Sequence, residues 1–279
     1  MDKYYTKYNL KMSNYTHLDS IVEKFLITDD INSILSLLKN NYQLFYVGKM
    51  SKLLFAFYYK KIFVVKYVKE EILIKDNLLF VTSGTSLLKL GNFCIQNGIS
   101  GFEKIMTIPG LVGGSLINNA SFLDQCISDN LLFLEIIDQN GLFHIIKKDE
   151  LVVKYRQLSI NYPNPFIYRA VFKINKTERV KLYNQKKEAF LYRLTNQPRI
   201  LSLGSTFKNY HHLKAYKLIK DNLDFYEYDS LKLSQRHLNF IEITNETDYL
   251  KMVKLIERIQ EVLYNKLGFY LESEIKIIY

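Results

Sequence analysis

Ser205 has the surroundings that best suit acid–base or nucleophilic chemistry. It follows Gly204 in the segment LSLGSTFKNY, and Lys208 and Asn209 come three and four residues later. A glycine can hold a sharp turn that exposes the hydroxyl, and a nearby ammonium stabilises a serine that has given up its proton. The alternative is a capping serine in an ordinary Gly-Ser turn. The segment is not GxSxG, so it does not indicate the nucleophile elbow of a hydrolase.

Four other side chains have groups that suit an anionic ligand or proton transfer. Tyr155 and Arg156, in KYRQLS, offer a phenol and a planar cation, with a plain surface arginine as the alternative. Near the C-terminus, Glu272 and Glu274 are two residues apart, so on a strand both would point to the same face. If that face is buried, the two acids need a functional reason; if it is solvated, they need none.

Glycine is concentrated in one part of the chain. Seven of the 11 glycines lie between residues 84 and 114, and three of these fall in the segment TIPGLVGGSLINNA, residues 107–120. Only glycine lets a backbone approach a ligand phosphate without a Cβ in the way, but a tight turn that packs a helix on a sheet is the alternative. The spacing is neither GxGxxG nor GxxxxGK[ST], so neither a Rossmann site nor a P-loop is indicated.

The overall composition is that of a globular protein. Of 279 residues, 48% are hydrophobic and 24% are charged, and no apolar run approaches the roughly 18 residues that span a bilayer. The polar N-terminus lacks the apolar stretch of a secretory signal, so we expect a cytoplasmic protein without a membrane partner. The net charge is +10, but the lysines are scattered. This favours a basic surface that attracts a small anion over a nucleic-acid partner.

A metal site has little support in the sequence. Cys94 and Cys126 lie in apolar surroundings without a CxxC pair, which is typical of reduced core cysteines. The five histidines form neither HxH nor HExxH, and the pair His211-His212 at a predicted helix start is better explained as solvated. We therefore expect no metal.

Hydrophobic periodicity predicts the elements that must position these residues. Helices are predicted at residues 28–40, 86–97, 176–194, 212–220 and 247–267. Strands are predicted at residues 43–47, 53–58, 61–68, 71–75, 78–82, 131–137, 142–146, 166–174 and 275–278, with a hairpin turn at 138–141. Because the main strand series ends near residue 176, the charged helix after it is predicted to lead into a second unit.

Five segments resemble, in order, the motifs of the UDP-N-acetylenolpyruvoylglucosamine reductase (UDP-N-acetylmuramate dehydrogenase) family. They are GISGFEKIMTIPGLVGGSLINNA, KYRQLS, LTNQPRILSLGSTFKN, LSQRHLNF and LGFYLESEIKII, and the resemblance extends from about Tyr15 to Ile278. It implies an α+β fold. An FAD-binding region like that of the PCMH/vanillyl-alcohol-oxidase proteins would occupy residues 1–180, in subdomains at about 1–75 and 76–180. A C-terminal α+β substrate-binding domain would follow at 190–279. The short stretch from 166 to 197 implies the compact subtype.

The resemblance also implies a chemistry. Such a protein is an FAD-dependent oxidoreductase that uses NADPH to reduce UDP-N-acetylglucosamine enolpyruvate to UDP-N-acetylmuramate for peptidoglycan, and so serves the cell wall, cell shape and cell division. Ser205 would be the general acid, and Arg156 and Glu274 would stabilise the intermediate. Substrate contacts are implied for Tyr155, Arg193, Gln197, Lys208 and Asn209. FAD contacts are implied for Gly48, Ser51, Ile108, Pro109, Gly110, Val112, Gly113, Gly114 and Asn119.

The departures from the family pattern fall in the flavin-binding half. The turn GGGSN becomes Gly48-Lys49-Met50-Ser51-Lys52, whose lysines could pair with phosphate or block it. Where the family has a Thr followed by a glycine pair, this chain has YTHLDSI at residues 15–21. Where the family has GAYG, this chain has SFLD after Asn119-Ala120. Two alternatives stay open: a flavin oxidoreductase with another substrate, and a non-catalytic protein that has lost its flavin. We expect a monomer.

Overall fold

The structure is a computed structural model that describes residues 2–12, 18–55, 58–199, 202–243 and 249–279, with only the backbone described for Met12 and residues 58–61. The chain divides into two compact units. The first comprises Met1–Thr6, Glu23–Lys49 and Lys61–Leu191, and the second comprises Lys7–Val22, Met50–Lys60 and Tyr192–Tyr279. Two N-terminal segments therefore belong to the second unit. The division by function, into residues 1–180 and 190–279, stays a prediction.

Two of the described helices begin at side-chain caps that the sequence offers. The described helices are α1 (Ile31–Lys39), α2 (Leu87–Gln96), α3 (Val112–Ile117), α4 (Arg179–Asn196), α5 (Ala215–Asn222) and α6 (Tyr249–Leu267). The Asp30 side chain accepts the N–H of Asn32 at 2.9 Å to start α1, and Ser86 accepts the N–H of Lys89 at the start of α2. The predicted helices are confirmed, although α5 begins three residues later than predicted and residues 247–248 lie outside the described part. The helix α3 was not predicted.

The strands are short and mostly antiparallel. In chain order they are β1 (Lys3–Asn9), β2 (Ile21–Thr28), β3 (Leu44–Tyr46), β4 (Leu53–Phe55), β5 (Tyr58–Tyr67), β6 (Ile72–Lys75), β7 (Leu78–Thr82), β8 (Ser121–Phe122), β9 (Gln125–Cys126), β10 (Leu131–Ile137), β11 (Phe143–Lys147), β12 (Val152–Lys154), β13 (Gln157–Ser159), β14 (Phe166–Lys173), β15 (Glu227–Tyr228), β16 (Leu231–Ser234), β17 (His237–Ile243) and β18 (Lys276–Ile278). Single 3-10 turns lie at Leu10–Met12, Ile105–Thr107 and Lys148–Glu150.

A five-stranded antiparallel sheet with the order β11-β10-β14-β7-β6 forms the main core of the first unit. Leu134 pairs with Ile146 across the predicted hairpin, and Ala170 pairs with Val81 across β14 and β7. Helices α2 and α3 contribute Leu90 and Leu116 to the same apolar core. The central strands β10, β14 and β7 thus bury apolar residues in the core that these helices share.

A second sheet, with the order β1-β2-β5-β3, has its own core in the first unit. Strand β3 runs parallel to β5, with Leu44 opposite Phe63. Helix α1 packs Ile34 and Leu38 into this core, so the amphipathic pattern that predicted the helix also explains its packing.

The second unit is built on helices α5 and α6 and the antiparallel meander β15-β16-β17. The core includes Phe207, Leu231 and Ile256, and it takes Leu54 from β4, which pairs in parallel with β18. The first unit's strand series ends with β14, near the predicted residue 176, but the meander that follows α4 was not predicted. No helix in the described residues is both long and apolar enough to cross a bilayer.

Candidate active site

The turn that carries Ser205 is held by strand β17. Gly204 has φ +69, a conformation that glycine adopts at little cost. The N–H of Thr206 donates to the carbonyl of Asn239 at 2.7 Å. The buried Asn239 side chain accepts the N–H of Phe207 at 2.9 Å and donates to the Phe207 carbonyl at 2.8 Å. Asn239 belongs to the motif LSQRHLNF, and the sequence analysis did not single it out.

Glu274 lies beside this turn in the same unit. Its N–H donates to the carbonyl of Thr206 at 2.8 Å, and its side chain is 3% exposed. Glu272, by contrast, has a side chain that is 72% exposed and pairs with Lys208 at 2.6 Å. The prediction that the two acids share one face is wrong, because β18 begins only at Lys276 and no strand alternation reaches back to them.

Lys52 is the cation that meets Glu274. Its Nζ lies 3.1 Å from Glu274 Oε2, and it also donates to the backbone carbonyl of Ser205. The sequence analysis considered Lys52 only as a partner or obstacle for a phosphate. The sequence offered one sign of its role, which is its position in a turn that departs from the family pattern. Its contact with Ser205 spans 153 residues of chain and has no local sequence signature.

Four of the five side chains implied in substrate binding lie in the second unit and are engaged with groups of the protein there. Asn209 accepts the N–H of Ala215 at 3.0 Å and so caps α5, which is why that helix starts after His211 and His212. Arg193 Nε donates to Gln197 Oε1 at 2.9 Å. These contacts leave the substrate roles of Lys208, Asn209, Arg193 and Gln197 as predictions.

Arg156 belongs to the first unit, in the two-residue turn between β12 and β13. Its φ is +57, and its guanidinium lies 5.1 Å from the ring centroid of the half-exposed Tyr155. The same guanidinium donates to the Ser121 hydroxyl and, at 3.4 Å, to the Ser121 carbonyl. Ser121 stands where the family pattern has GAYG, so this contact uses a residue that was noted only as a departure.

Asn119 supports the turn of Arg156 rather than projecting outward. It is 7% exposed and has φ +36. Its Nδ2 donates to the Lys154 carbonyl at 2.9 Å, and its Oδ1 accepts the Ser128 hydroxyl at 2.7 Å. Both ends of the side-chain amide are bonded within the protein, so a contact between Asn119 and a flavin would have to use its other atoms. That contact stays a prediction.

The glycine-rich segment combines packing with an open backbone surface. The N–H groups of Val112 and Gly113 donate to the carbonyls of Thr85 and Ser83 at 2.8 and 2.9 Å. A Cβ on Gly113 would lie 2.8 Å from the Ser83 Cβ, and one on Gly110 would lie 2.6 Å from the Ser115 Oγ. These amides and glycines therefore hold α3 in place. A ligand contact by Val112 or Gly113 must use atoms other than the backbone N–H.

Gly48 and Gly114 offer the surroundings that a flavin nucleotide requires. Their backbones face each other, since a Cβ on Gly114 would meet the Gly48 Cα at 3.9 Å, and Gly114 is exposed. Ile108 and Pro109 are partly exposed nearby in sequence, and Ser51 is half-buried in the second unit. Lys49 and Lys66 lie close enough that burial, and then the charge of Lys49, lower the pKa of Lys66. Bare backbone and two cations fit an anionic diphosphate.

Comparison with known proteins gives one consistent family. The model of the UDP-N-acetylenolpyruvoylglucosamine reductase C-terminal domain matches residues 197–278. A UDP-N-acetylenolpyruvoylglucosamine reductase of Pelagibacter ubique is 30% identical over 97% of this chain and 93% of its own length. One of Rickettsia massiliae is 34% identical over 73% of this chain and 69% of its own length.

A solved structure shares the fold. The UDP-N-acetylenolpyruvylglucosamine reductase of Thermus caldophilus superimposes with a TM-score of 0.84 at 22% identity, over 100% of this chain and 99% of that one. The predicted fold class, α+β of the FAD-binding PCMH-like type, is thereby confirmed. With 30% identity over nearly the full length of a relative, the chain belongs to the UDP-N-acetylenolpyruvoylglucosamine reductase family, whose members are flavin-dependent reductases.

Proposed function

We propose that this protein uses NADPH and FAD to reduce the enolpyruvyl group of UDP-N-acetylglucosamine enolpyruvate, which gives UDP-N-acetylmuramate for peptidoglycan synthesis. One observation carries the proposal. In a chain related to such reductases over 97% of its length, a backbone hydrogen bond at 2.8 Å joins the buried acid Glu274 to Thr206, the residue after Ser205. The two groups implied in proton transfer and charge stabilisation thus belong to one rigidly bonded part of the second unit.

FAD would be held by the first unit. Gly48 and Gly114 present backbone without side chains, and Lys49 and Lys66 supply positive charge for the diphosphate. Ile108 and Pro109 would pack against the cofactor at the entrance to the same segment. When bound, the flavin supplies the hydride for the enolpyruvyl double bond, and the protein supplies position and charge.

Ser205 would deliver the proton to the substrate carbon. Its turn is fixed by Gly204 on one side and by the bonds to Asn239 on the other, so its hydroxyl has a defined place. Lys52 adds a cation at the Ser205 backbone carbonyl. A general acid needs this kind of fixed geometry to act, and its contribution is typically about 10²-fold to 10⁴-fold.

Arg156 would stabilise the negative charge that develops on the substrate, and Glu274 would assist by sharing a proton with it. Arg156 is held in its turn by Ser121, which keeps a planar cation in one orientation for a carboxylate. Glu274 is buried and paired, so its orientation does not depend on solvent. Preorganised charges of this kind act in the transition state without reorganisation. Substrate contacts would come from Tyr155, Arg193, Gln197, Lys208 and Asn209.

Three broader features belong to the same proposal. The flavin-binding region would cover residues 1–180 and the substrate-binding domain residues 190–279. The protein would act as a monomer in the cytoplasm, where its nucleotide substrates are found. No observation favours the other flavin oxidoreductase or the non-catalytic protein considered from the sequence.

Spectroscopy and product analysis test the proposal together. Purified protein titrated with FAD should show the visible spectrum of a bound flavin, and addition of NADPH under argon should bleach it. Turnover with UDP-N-acetylglucosamine enolpyruvate should then give a product two mass units heavier, identical to UDP-N-acetylmuramate. A protein that stays colourless with FAD, or a bound flavin that NADPH reduces without any such product, would overturn the assignment.

A further inference from the structure

Lys52 contacts the two segments of the second unit that carry Ser205 and Glu274. Its ammonium contacts the Glu274 carboxylate at 3.1 Å and the Ser205 backbone carbonyl. Its own carbonyl accepts the N–H of Lys276 at 2.9 Å, which ties the start of β4 to β18. Both its main chain and its side chain are therefore bonded to the C-terminal part of the second unit.

The burial of Glu274 gives this contact its importance. The Glu274 side chain is 3% exposed, and a carboxylate taken out of water is costly unless a cation and hydrogen bonds compensate it. Lys52 is itself 25% exposed, so its side chain reaches from partly solvated surroundings to the buried acid. An ordinary surface pair such as Lys11 with Asp19, at 3.2 Å and with the two side chains 45% and 41% exposed, has no such burial to compensate.

Gly204 makes room for this lysine. A Cβ built on Gly204 would lie 3.1 Å from Lys52 Nζ and 3.5 Å from its Cε. Any other residue at this position would therefore press on the ammonium in addition to straining the backbone at φ +69. The glycine before Ser205 thus serves both the turn and the approach of Lys52.

We propose that Lys52 is a positioning residue of the reductase, and this inference rests on the proposed function. It fixes the direction of the Glu274 carboxylate and holds the Ser205 carbonyl, so that the general acid and the buried acid keep one relative geometry. It also makes the pair with Glu274 electrically neutral, which removes the repulsion that a lone buried carboxylate would exert on an anionic substrate.

Separate half-reactions test this role. In the FAD-loaded Lys52→Met protein, flavin reduction by NADPH should stay within about twofold of wild type. Glu274 has no proposed role in the transfer of hydride from NADPH to the flavin. Reoxidation by the enolpyruvyl substrate should slow by about 10-fold to 100-fold, the range expected when reacting groups lose their alignment. Lys52→Arg, which keeps the charge, should recover most of this loss. Lys11→Met, the same change at the exposed pair of Lys11 with Asp19, should leave both half-reactions at wild-type rates.

A double-mutant cycle with Glu274→Gln then isolates the coupling. Loss of the lysine should slow reoxidation much less in the Glu274→Gln background than in wild type, because the partner is already neutral. Equal effects of Lys52→Met in both backgrounds, or no effect in either, would overturn the role. If Lys52→Met does not fold, Lys52→Gln, which retains a hydrogen-bond donor without the charge, takes its place in the cycle. A wild-type protein that the substrate cannot reoxidise would instead overturn the proposed function, and this inference with it.

Discussion

The side-chain amide of Asn119 donates a 2.9 Å hydrogen bond to the carbonyl of Lys154, two residues before Arg156. The other end of the amide accepts the Ser128 hydroxyl at 2.7 Å. A buried residue at φ +36 thus joins the end of the glycine-rich segment to the hairpin that presents the candidate catalytic arginine. The contact connects the two motifs of the first unit that the sequence places far apart.

Asn119→Ala should therefore act through Arg156. The change leaves the Lys154 carbonyl and the Ser128 hydroxyl without this partner, at a cost of about 1–3 kcal/mol. We expect a higher KM for the enolpyruvyl substrate and an FAD dissociation constant within about twofold of wild type, because both ends of the Asn119 amide are already bonded within the protein. Asn140→Ala, in the exposed turn before β11, is the control. A large loss of FAD affinity with an unchanged KM would show that Asn119 is a cofactor ligand instead.

Ser205→Ala separates the two half-reactions. Removal of the hydroxyl takes away the proposed proton donor but leaves the backbone turn at Gly204 intact. Stopped-flow spectroscopy should show flavin reduction by NADPH at the wild-type rate and reoxidation by substrate slowed by about 10²-fold or more. Ser234→Ala, at a buried serine on β16 in the same unit, should leave both rates unchanged. If reoxidation of the Ser205 variant is as fast as that of wild type, the proton comes from another group.

The neighbouring glycines of α3 should respond differently to alanine. A Cβ on Gly113 would meet the Ser83 Cβ at 2.8 Å, so Gly113→Ala should destabilise the first unit by about 1–3 kcal/mol. Gly114 is exposed and its Cβ would meet nothing closer than 3.9 Å. Gly114→Ala should therefore keep the thermal midpoint and weaken FAD binding, because the new methyl group occupies the face proposed for the cofactor. Thermal melts of the apoprotein and FAD titrations distinguish the two effects, and equal FAD affinity in Gly114→Ala would exclude that face.

His237 should make the stability of the second unit depend on pH. Its ring lies 5.2 Å from Tyr216 and 4.9 Å from Phe240, and its buried Nδ1 has no hydrogen-bond partner among the described residues. Burial lowers the pKa of His237 below its ordinary value of 6.5. The unfolded chain therefore takes up a proton first, so this contribution to stability is present above pH 6.5 and is lost as the pH falls through the folded pKa.

Replacing this histidine by phenylalanine should remove that pH dependence. Urea unfolding at pH 7.5 and pH 5.5 should show a smaller loss of unfolding free energy in His237→Phe than in wild type over the same interval. The comparison between the two proteins cancels the other titrating groups. Parallel losses would mean that His237 is protonated in the folded state.

Local sequence signals predicted the elements that depend on local chemistry. Asp30 and Ser86 indicate the starts of α1 and α2 because both are capping residues, and the DQNG turn indicates the β10-β11 hairpin. Helix α3 was missed because Gly113 and Gly114 disfavour a helix; it forms because Gly113 packs directly on Ser83. Strands β15 to β17 were missed because their polar residues hide the alternation, and their pairing depends on contacts with α5 and α6.

The candidate site was predictable in its residues but not in its contacts. The resemblance pointed to Ser205, Glu274 and Arg156 by type and order. It could not indicate that Glu272 is solvated while Glu274 is buried, since this depends on where β18 begins. The pairing of Lys52 with Glu274 likewise depends on β4 lying beside β18, a non-local contact that no window of sequence records.

The central claim is that this chain transfers reducing equivalents from NADPH to an enolpyruvyl nucleotide sugar. The most direct measurement is the flavin absorbance of the NADPH-reduced, FAD-loaded protein when UDP-N-acetylglucosamine enolpyruvate is mixed in under argon. We predict that the oxidised spectrum returns in a single turnover at about 1 s⁻¹ or faster, the lower range of ordinary enzyme rates. A flavin that stays reduced for minutes in the presence of saturating substrate would contradict the account.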